Sequence, residues 1–205
     1  MMKLYYSPGV CSLGIHVLLE DLGVPYEAEI VSLRDGGQHR PEYRAINPKG
    51  KVPTLVRDDG SVLTEWATIA YWLGLAYPER GLLSPDSEVQ VRTLEFLEYA
   101  VATVHMRGFT LVAMPQRFSA NPAAHSDVRA VGEIVRAEGL ALLSEKLGDQ
   151  DYFFGGFSIA DAAVFYLTFW AVSSGCELPE NIAAFHQRML SRPAVQAAMR
   201  AEGLS

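Results

Sequence analysis

Cys11 is the first residue whose position could give it chemistry. It follows a proline–glycine turn and begins an apolar stripe at helical spacing that continues through Ile15, Leu18 and Leu22. The free N–H groups and the dipole at a helix N-terminus stabilise an anion, so a thiolate would be favoured there, and Ser12 could donate a hydrogen bond to it. The same stripe also fits a small core residue. The residues alone leave both interpretations open.

A lone cysteine at this position restricts the redox chemistry. Cys11 lacks the second cysteine of a dithiol motif, and Cys176 lies far along the chain, so neither a disulfide framework nor a zinc quartet is expected. A lone thiol cannot resolve its own mixed disulfide and needs an external thiol, which points to glutathione. Two free thiols also indicate a reducing compartment, so we predict a cytoplasmic protein without a metal.

Three further positions could contact a ligand. Pro53 opens a strand and therefore lies at an edge or a bend. If its peptide bond is cis, the backbone of Val52 could pair with an extended peptide, although trans is the commoner state. Glu65 stands where a strand meets a helix and is either a favourable dipole partner or a receiver for a ligand's ammonium group.

The helical half of the chain offers one more candidate. His105, close to Arg107 within a helix, is either a satisfied structural group or a proton donor beside an anionic sulfur. The remaining histidines have no distinguishing context: His16, His39, His125 and His186.

Composition excludes several classes of partner. The chain of 205 residues carries a formal net charge of -7, so a nucleic-acid partner is not expected. No apolar run approaches the length that spans a bilayer, and the N-terminus has no secretory pattern. We therefore expect no membrane association.

The elements that must position these residues alternate in the first third of the chain. Residues 3–6, 11–22 and 26–33 have the patterns of a strand, a helix and a half-buried strand, which implies a parallel pair with a right-handed crossover. Two short strands then form a hairpin around residues 58–60, whose glycine needs a positive φ, and residues 65–76 form a helix. We predict a mixed four-stranded sheet covered by helices.

The character of the chain changes in a boundary rich in proline, glycine and charge at residues 78–87. Beyond it we predict only helices, and a capping box at Ser158–Asp161 marks the start of one of them. The later helices are expected near residues 127–147, 158–174 and 180–190. The domains are therefore predicted at 1–80, with α/β structure, and at 86–205, all helical.

Several segments together resemble the beta class of bacterial glutathione transferases. They are KLYYSPGVCSL, INPKGKVPTL, LTEWATIAYWL, SIADAAVFY and the closing RAEGL, spread over nearly the whole chain. The resemblance implies a thioredoxin-like N-terminal domain of the order βαβαββα that binds glutathione. It also implies an all-α C-terminal domain that supplies the electrophile pocket, and a homodimer.

The resemblance also assigns roles to residues. Cys11 falls on the family's characteristic cysteine, which lies near the glutathione sulfur and can form a mixed disulfide with it. Val52 precedes the family's cis-proline and binds the cysteinyl backbone, while Glu65 meets the γ-glutamyl end. The implied catalytic residues are Cys11, Ser12 and His105. The implied glutathione-binding residues are Tyr6, Lys51, Val52, Pro53, Glu65, Trp66 and Arg107.

Two positions depart from the family pattern. Trp66 stands where the family has a small residue. A side-chain hydroxyl contact to glutathione is therefore lost, and only the backbone N–H of Trp66 can still bind the ligand. Residues 34–37 stand where members often carry a lysine towards the glycyl carboxylate, and Arg34 or Lys51 could replace it. These departures predict a modest affinity for glutathione.

The sequence thus predicts a glutathione S-transferase that activates the glutathione thiolate and conjugates it to small hydrophobic electrophiles, a detoxification reaction. The rival interpretations are a glutathione-dependent thiol-disulfide oxidoreductase or peroxidase that uses Cys11, a glutathione-dependent isomerase, and a non-catalytic carrier of hydrophobic ligands.

Overall fold

The computed structural model describes residues 1–204, which form two compact units. Unit 1 contains Met1–Leu83 together with residues 189–204, and unit 2 is Ser84–Arg188. The boundary between the units lies within the predicted segment of residues 78–87, but residues 189–204, which we predicted in the helical domain, belong to unit 1. The physical reason is a short amphipathic helix near the C-terminus, which buries Ala194, Val195 and Ala198 within unit 1.

A four-stranded mixed sheet forms the centre of unit 1. Its strands are β1 (Met2–Tyr6), β2 (Tyr26–Ile30), β3 (Thr54–Val56) and β4 (Val62–Thr64), in the spatial order β2-β1-β3-β4. β1 pairs in parallel with β2 and antiparallel with β3, and β3 pairs antiparallel with β4. The predicted sheet is confirmed, and Gly60 has the φ of 81° that its turn needs.

The second strand is shorter and more exposed than predicted. β2 ends at Ile30, and all of its residues after Tyr26 are exposed. The cause is its place at the edge of the sheet, where β1 is its one strand partner among the described residues. The Lys3 ammonium lies 2.6 Å from the carboxylate of Glu29 on this edge. Charged side chains on an edge strand disfavour pairing with another chain.

The described residues contain nine α-helices. They are α1 (Ser12–Leu22), α2 (Pro41–Ile46), α3 (Trp66–Ala76), α4 (Ser87–Glu98), α5 (Thr110–Ala113), α6 (His125–Leu147), α7 (Ile159–Ser173), α8 (Glu180–Leu190) and α9 (Pro193–Ala201). α1 packs against α3 and α9, and nine of its eleven residues are buried. It ends at Gly23, whose φ of 65° a glycine adopts without strain. α1 is therefore the central helix of unit 1.

Unit 2 is helical, as predicted, with one unexpected segment. Between α4 and α5 the chain continues as a π-helix over Tyr99–Phe109, and this segment carries His105 and Arg107. π-Helical turns are rare and frequently occur at functional sites. Close packing against α6 depends on Gly139, where an added Cβ would lie 2.8 Å from a methyl group of Val104. The π-helix and α6 thus approach more closely than side chains would allow.

The capping box at the start of α7 is present. The Asp161 carboxylate accepts hydrogen bonds from the Ser158 N–H at 2.8 Å and from the Ser158 hydroxyl at 2.7 Å. It also accepts one from the Phe153 N–H at 3.0 Å. Burial raises the pKa of Asp161 to about 6, although these three donors act in the opposite direction. The box therefore secures both the helix and the preceding loop.

Among the described residues, none of the helices combines the length and apolarity that a membrane span requires.

Candidate active site

The loop of residues 7–11 joins β1 to α1 and ends in Cys11. The Ser12 hydroxyl accepts the N–H of Ser7 and donates to the Ser7 carbonyl, both at 3.2 Å. At the other end of the loop, the indole N–H of Trp66 donates to the carbonyl of Cys11 at 2.9 Å. Gly9 has a φ of 69°, which a residue with a side chain rarely adopts. The backbone that leads to Cys11 is therefore held at both ends.

The Cys11 sulfur faces the backbone of Val52. Its thiol donates a hydrogen bond to the Val52 carbonyl, with a sulfur–oxygen distance of 3.5 Å. Burial disfavours the thiolate and raises the pKa of Cys11 to about 12. The backbone N–H groups of Ser12 and Cys11 and the charge of Lys51 lower this pKa, whereas the charge of Glu202 raises it. At neutral pH the residue is a thiol.

Of the two interpretations that the sequence left open, a helix-terminal thiolate and a small buried residue, the burial of Cys11 favours the second. The helix N-terminus does favour the anion, through the N–H of Ser12, but desolvation has the larger effect. The expected donation from the Ser12 hydroxyl is not found either, because that hydroxyl is fully buried and donates to Ser7. What Ser12 presents to the sulfur is its backbone N–H.

The segment before β3 is ordered around one carbonyl. The Lys51 carbonyl accepts hydrogen bonds from the Tyr43 hydroxyl at 2.5 Å, the Asn47 amide at 2.8 Å and the Thr54 hydroxyl at 3.2 Å. The Lys51 side chain is exposed, and its ammonium has no ion-pair partner among residues 1–204. The charge of Lys51 therefore faces solvent beside a rigid backbone.

Val52 follows directly, and the Val52–Pro53 peptide bond is cis, as the resemblance implied. β3 begins only at Thr54, so Val52 lies outside the strand ladder. Within residues 1–204, the Val52 N–H has no hydrogen-bond partner, and its carbonyl accepts only the Cys11 thiol. Backbone groups in this state can pair with an extended peptide.

Glu65 has a strained backbone. Its φ is 68°, the one positive value outside glycine among the described residues, and it is the N-cap of α3. Such a conformation costs about 1–3 kcal/mol and is typical of functional positions. The carboxylate lies 2.7 Å from the ammonium of Lys49, which also donates to the Thr64 hydroxyl at 2.8 Å. The Lys49 pairing was not predicted, although Lys49 lies within the INPKGKVPTL segment.

Trp66 and Tyr6 are buried beneath the loop. Trp66 begins α3 and is 4% exposed, and the bond from its indole to Cys11 was not expected, since only its backbone N–H was considered. Tyr6 ends β1, and its ring centroid lies 5.0 Å from that of His16. Burial raises the pKa of the Tyr6 phenol. Both aromatic residues shape the loop from inside unit 1.

His105 and Arg107 belong to unit 2. The Nδ1 atom of His105 lies 3.3 Å from the Tyr166 hydroxyl, and its ring packs edge-on against Trp170 at 4.8 Å. The spacing of Tyr166 and Trp170, one turn apart on α7, was a signal that the sequence contained. Arg107 is exposed. The structure thus gives His105 defined partners on a neighbouring helix.

Among residues 1–204, no three His, Cys, Asp or Glu side chains lie close enough together to hold a metal ion.

Comparisons with known proteins agree with this geometry. Residues 9–76 match the family model described as glutathione S-transferase, N-terminal domain. The chain is 39% identical over 209 residues to glutathione S-transferase GstA of Escherichia coli O157:H7, covering 99% of this chain and 100% of the relative.

Solved structures are similar over the whole length. A glutathione transferase homolog from Sulfitobacter with bound glutathione has a TM-score of 0.90 and 28% identity, covering 100% of this chain and 99% of the other. A bacterial beta class glutathione S-transferase of Sphingomonas chungbukensis has a TM-score of 0.86 and 28% identity, covering 99% and 100%.

A mixed βαβαββα sheet with a cis-proline beside a cysteine, joined to a helical unit, defines a thioredoxin-like transferase. The chain belongs to the glutathione S-transferase family. The predicted resemblance to its bacterial members and the predicted fold class are confirmed.

Proposed function

We propose that this enzyme binds glutathione along Val52 in unit 1 and conjugates it, through its sulfur, to small hydrophobic electrophiles. The observation that carries the proposal is the backbone of Val52, which is unpaired within residues 1–204 except for the Cys11 thiol. The Val52 N–H and carbonyl would pair with the cysteinyl residue of glutathione, in the manner of an added strand. That pairing brings the glutathione sulfur to the Cys11 side of the site.

The two ends of glutathione carry opposite charges, and unit 1 offers a counterpart for each. We assign the γ-glutamyl ammonium to Glu65, whose exposed carboxylate is already paired with an ammonium, that of Lys49. We assign the glycyl carboxylate to Lys51, which directly precedes Val52 in the chain and has an exposed side chain. Both contacts are charge-assisted hydrogen bonds, which are stronger than neutral ones.

Cys11 contributes as a thiol. A protonated Cys11 and the N–H of Ser12 can both donate to the anionic sulfur of glutathione, and the Cys11 thiol then exchanges its bond to Val52 for this one. Lowering a thiol pKa of about 8.5 by two units takes about 2.7 kcal/mol. Each hydrogen bond to a charged group contributes about 1.5–3 kcal/mol, so two donors suffice. The thiolate then attacks the electrophilic carbon: the C–S bond forms and, with an aryl halide, the carbon–halogen bond breaks and halide leaves with its electron pair.

His105 and Arg107 stay proposed site residues on the strength of the resemblance. The contact between His105 and the Tyr166 hydroxyl supports a ring held in one orientation, as a proton donor needs. Arg107 is exposed on the same π-helix and can offer a cation to an anionic ligand.

The proposal also covers assembly and location. We propose a homodimer on the strength of the resemblance, and four large aliphatic residues that are exposed on α4 and α6 of unit 2 are candidates for its interface. They are Val91, Leu94, Val131 and Ile134, each at least 40% exposed. The free state of both cysteines supports a cytoplasmic location, and the role in detoxification follows from the proposed conjugation.

Calorimetry with glutathione tests the binding proposal directly. Titration to millimolar glutathione should give a saturable heat, and an activated aryl halide added to the complex should release halide as glutathione is consumed. S-methylglutathione, which keeps the backbone and both charged ends, should compete. If the titration gave no heat and no conjugate formed, the proposed function would be contradicted.

Replacement of Cys11 with Ala should lower kcat/KM for conjugation by about 10- to 100-fold without abolishing it, because glutathione itself is the nucleophile and one of two donors remains. Thiol transfer between glutathione and a small disulfide, by contrast, should be lost if Cys11 carries it. The matched control is Cys176→Ala, which lies in unit 2 and should change neither rate. Complete loss of conjugation in the Cys11 variant alone would contradict the proposal that Cys11 is only one of two donors to the glutathione sulfur.

A further inference from the structure

Glu202 is a buried carboxylate that the proposed chemistry does not use. It directly follows α9, and its side chain is 0% exposed. One carboxylate oxygen accepts the N–H of Gly9 at 2.8 Å, and the other lies 2.9 Å from Nδ1 of His16, itself 1% exposed. An unpaired charge in the interior is costly, so this carboxylate persists because both of its oxygens have partners.

The groups around this carboxylate lie directly beneath the Cys11 loop. The ring of His16, one turn further along α1, packs against Tyr6 at 5.0 Å and edge-on against Tyr26 at 5.8 Å. The Tyr26 hydroxyl donates to Glu20 at 2.5 Å. His16 thus contacts rings from β1 and β2 as well as Glu202, and Glu202 connects this cluster to the loop through Gly9.

Polar contacts join α9 to α1 at both ends of α9, and only one of them also involves the loop of residues 7–11. At the start of α9 the Arg192 guanidinium lies 2.7 Å from the carboxylate of Asp21, near the end of α1. At the far end Glu202 contacts His16 and Gly9. The two contacts have similar roles in holding α9. Arg192 contacts α1 at the end opposite to Cys11, and a variant of Arg192 is therefore a matched control.

We propose that Glu202 is a positioning residue for glutathione transfer: by holding the Gly9 N–H, it fixes the loop that places the Cys11 sulfur and the Ser12 N–H against Val52. This inference rests on the proposed function and deepens it, because it names a residue from the end of the chain that sets the geometry of the glutathione sulfur site.

The same carboxylate acts on Cys11 electrostatically. Burial is the main reason why the pKa of Cys11 is raised, and the charge of Glu202 raises it further. The Ser12 and Cys11 N–H groups and Lys51 oppose it, and His16, Tyr6 and Tyr26 are further titratable groups near Glu202. Glu202 therefore favours the protonated state in which Cys11 can donate to another sulfur.

Three variants test the proposal in a Cys176→Ala background, so that Cys11 is the one thiol. Glu202→Gln keeps an acceptor for Gly9 but removes the charge, Glu202→Ala removes both, and Arg192→Met removes the other tie of α9. The readouts are kcat and KM for glutathione, the unfolding midpoint, and the rate of Cys11 alkylation by iodoacetamide as a function of pH. Only the last two can be measured without conjugation activity.

We expect Glu202→Ala to lower kcat/KM for glutathione by about 10- to 100-fold, the size of effect that a misplacement of about 1 Å produces. Arg192→Met should change it less than about twofold, even at the same loss of stability. Glu202→Gln should retain most of the activity and lower the pH midpoint of Cys11 alkylation by about half a unit or more, since a neighbouring negative charge is removed.

Equal effects of Glu202→Ala and Arg192→Met on kcat/KM would overturn the proposal, as would an unchanged alkylation midpoint in Glu202→Gln. Failure of both Glu202 variants to fold would also overturn it, because the carboxylate would then serve the fold and not the loop. If the parent protein binds no glutathione, the proposed function fails, whereas the alkylation profile still reports on the contact between Glu202 and the loop.

Discussion

Replacing Glu65 with Gln should raise the KM for glutathione by about 10- to 100-fold and change kcat much less. A carboxylate–ammonium contact contributes about 1.5–3 kcal/mol, and the γ-glutamyl ammonium is remote from the reacting sulfur. The positive φ of 68° at Glu65 supports this reading, because a strained backbone is retained where it places a functional group. Steady-state kinetics over a range of glutathione concentrations would measure the effect.

Two control variants separate the charge from its surroundings. Glu79→Gln removes an exposed carboxylate elsewhere in unit 1 and should leave KM unchanged. Lys49→Gln removes the present partner of Glu65, and KM should stay within about threefold or fall, because an exposed ion pair contributes at most about 1 kcal/mol. If Lys49→Gln raises KM as much as Glu65→Gln does, Lys49 and not Glu65 is the principal contact.

Glu65→Gly distinguishes a role in binding from a role in folding. Glycine adopts a φ of 68° without strain, so this variant should be at least as stable as the parent protein while its KM rises as in Glu65→Gln. A large fall in the free energy of unfolding would show instead that the Glu65 side chain supports the fold.

Replacing Asp161 with Ala should lower the free energy of unfolding by about 3–5 kcal/mol at pH 7. The substitution leaves three donors without their acceptor, the N–H groups of Ser158 and Phe153 and the Ser158 hydroxyl, and each unsatisfied buried group costs about 1–3 kcal/mol. Urea unfolding followed by tryptophan fluorescence measures the loss. Ser158→Ala is the graded control, since it removes one donor and should cost about 1 kcal/mol.

The pH dependence of stability gives an independent check on Asp161. Its pKa is about 6 in the folded protein and near the ordinary value of about 3.9 in the unfolded chain. Between these values the folded state binds more protons, so its free energy of unfolding falls as pH rises from about 4 to about 6, by about 2–3 kcal/mol from this group. Asp161→Asn should abolish this part of the slope. An unchanged slope would mean that the carboxylate titrates normally.

The order of the secondary-structure elements was readable from the sequence because its signals are local. The apolar spacing after Cys11 predicted α1, and the glycine at 60 predicted the hairpin turn with its positive φ. Ser158 and Asp161, three residues apart, predicted the start of α7. In each case the interacting groups are within a few residues of each other, so the local sequence is sufficient to predict the element.

The state of Cys11 could not be read in the same way. A helix N-terminus predicts an acidic thiol, but the pKa depends more on burial against Val52 and on the charge of Glu202. The Gly9 N–H and the Glu202 carboxylate that accepts its hydrogen bond are 193 residues apart. No local pattern connects such groups, and the last helix was itself absent from the prediction.

What the sequence determined by itself is the family and the two-part architecture, because these follow from short segments and their spacing, and the same segments supply the residue types of the proposed glutathione site. Tertiary structure alone decided the ionisation of Cys11, the bond from Trp66 to its carbonyl, the exposure of β2 and the return of residues 189–204 to unit 1. Desolvation and long-range contacts depend on which parts of the chain pack against one another, and this packing is established only in the tertiary structure.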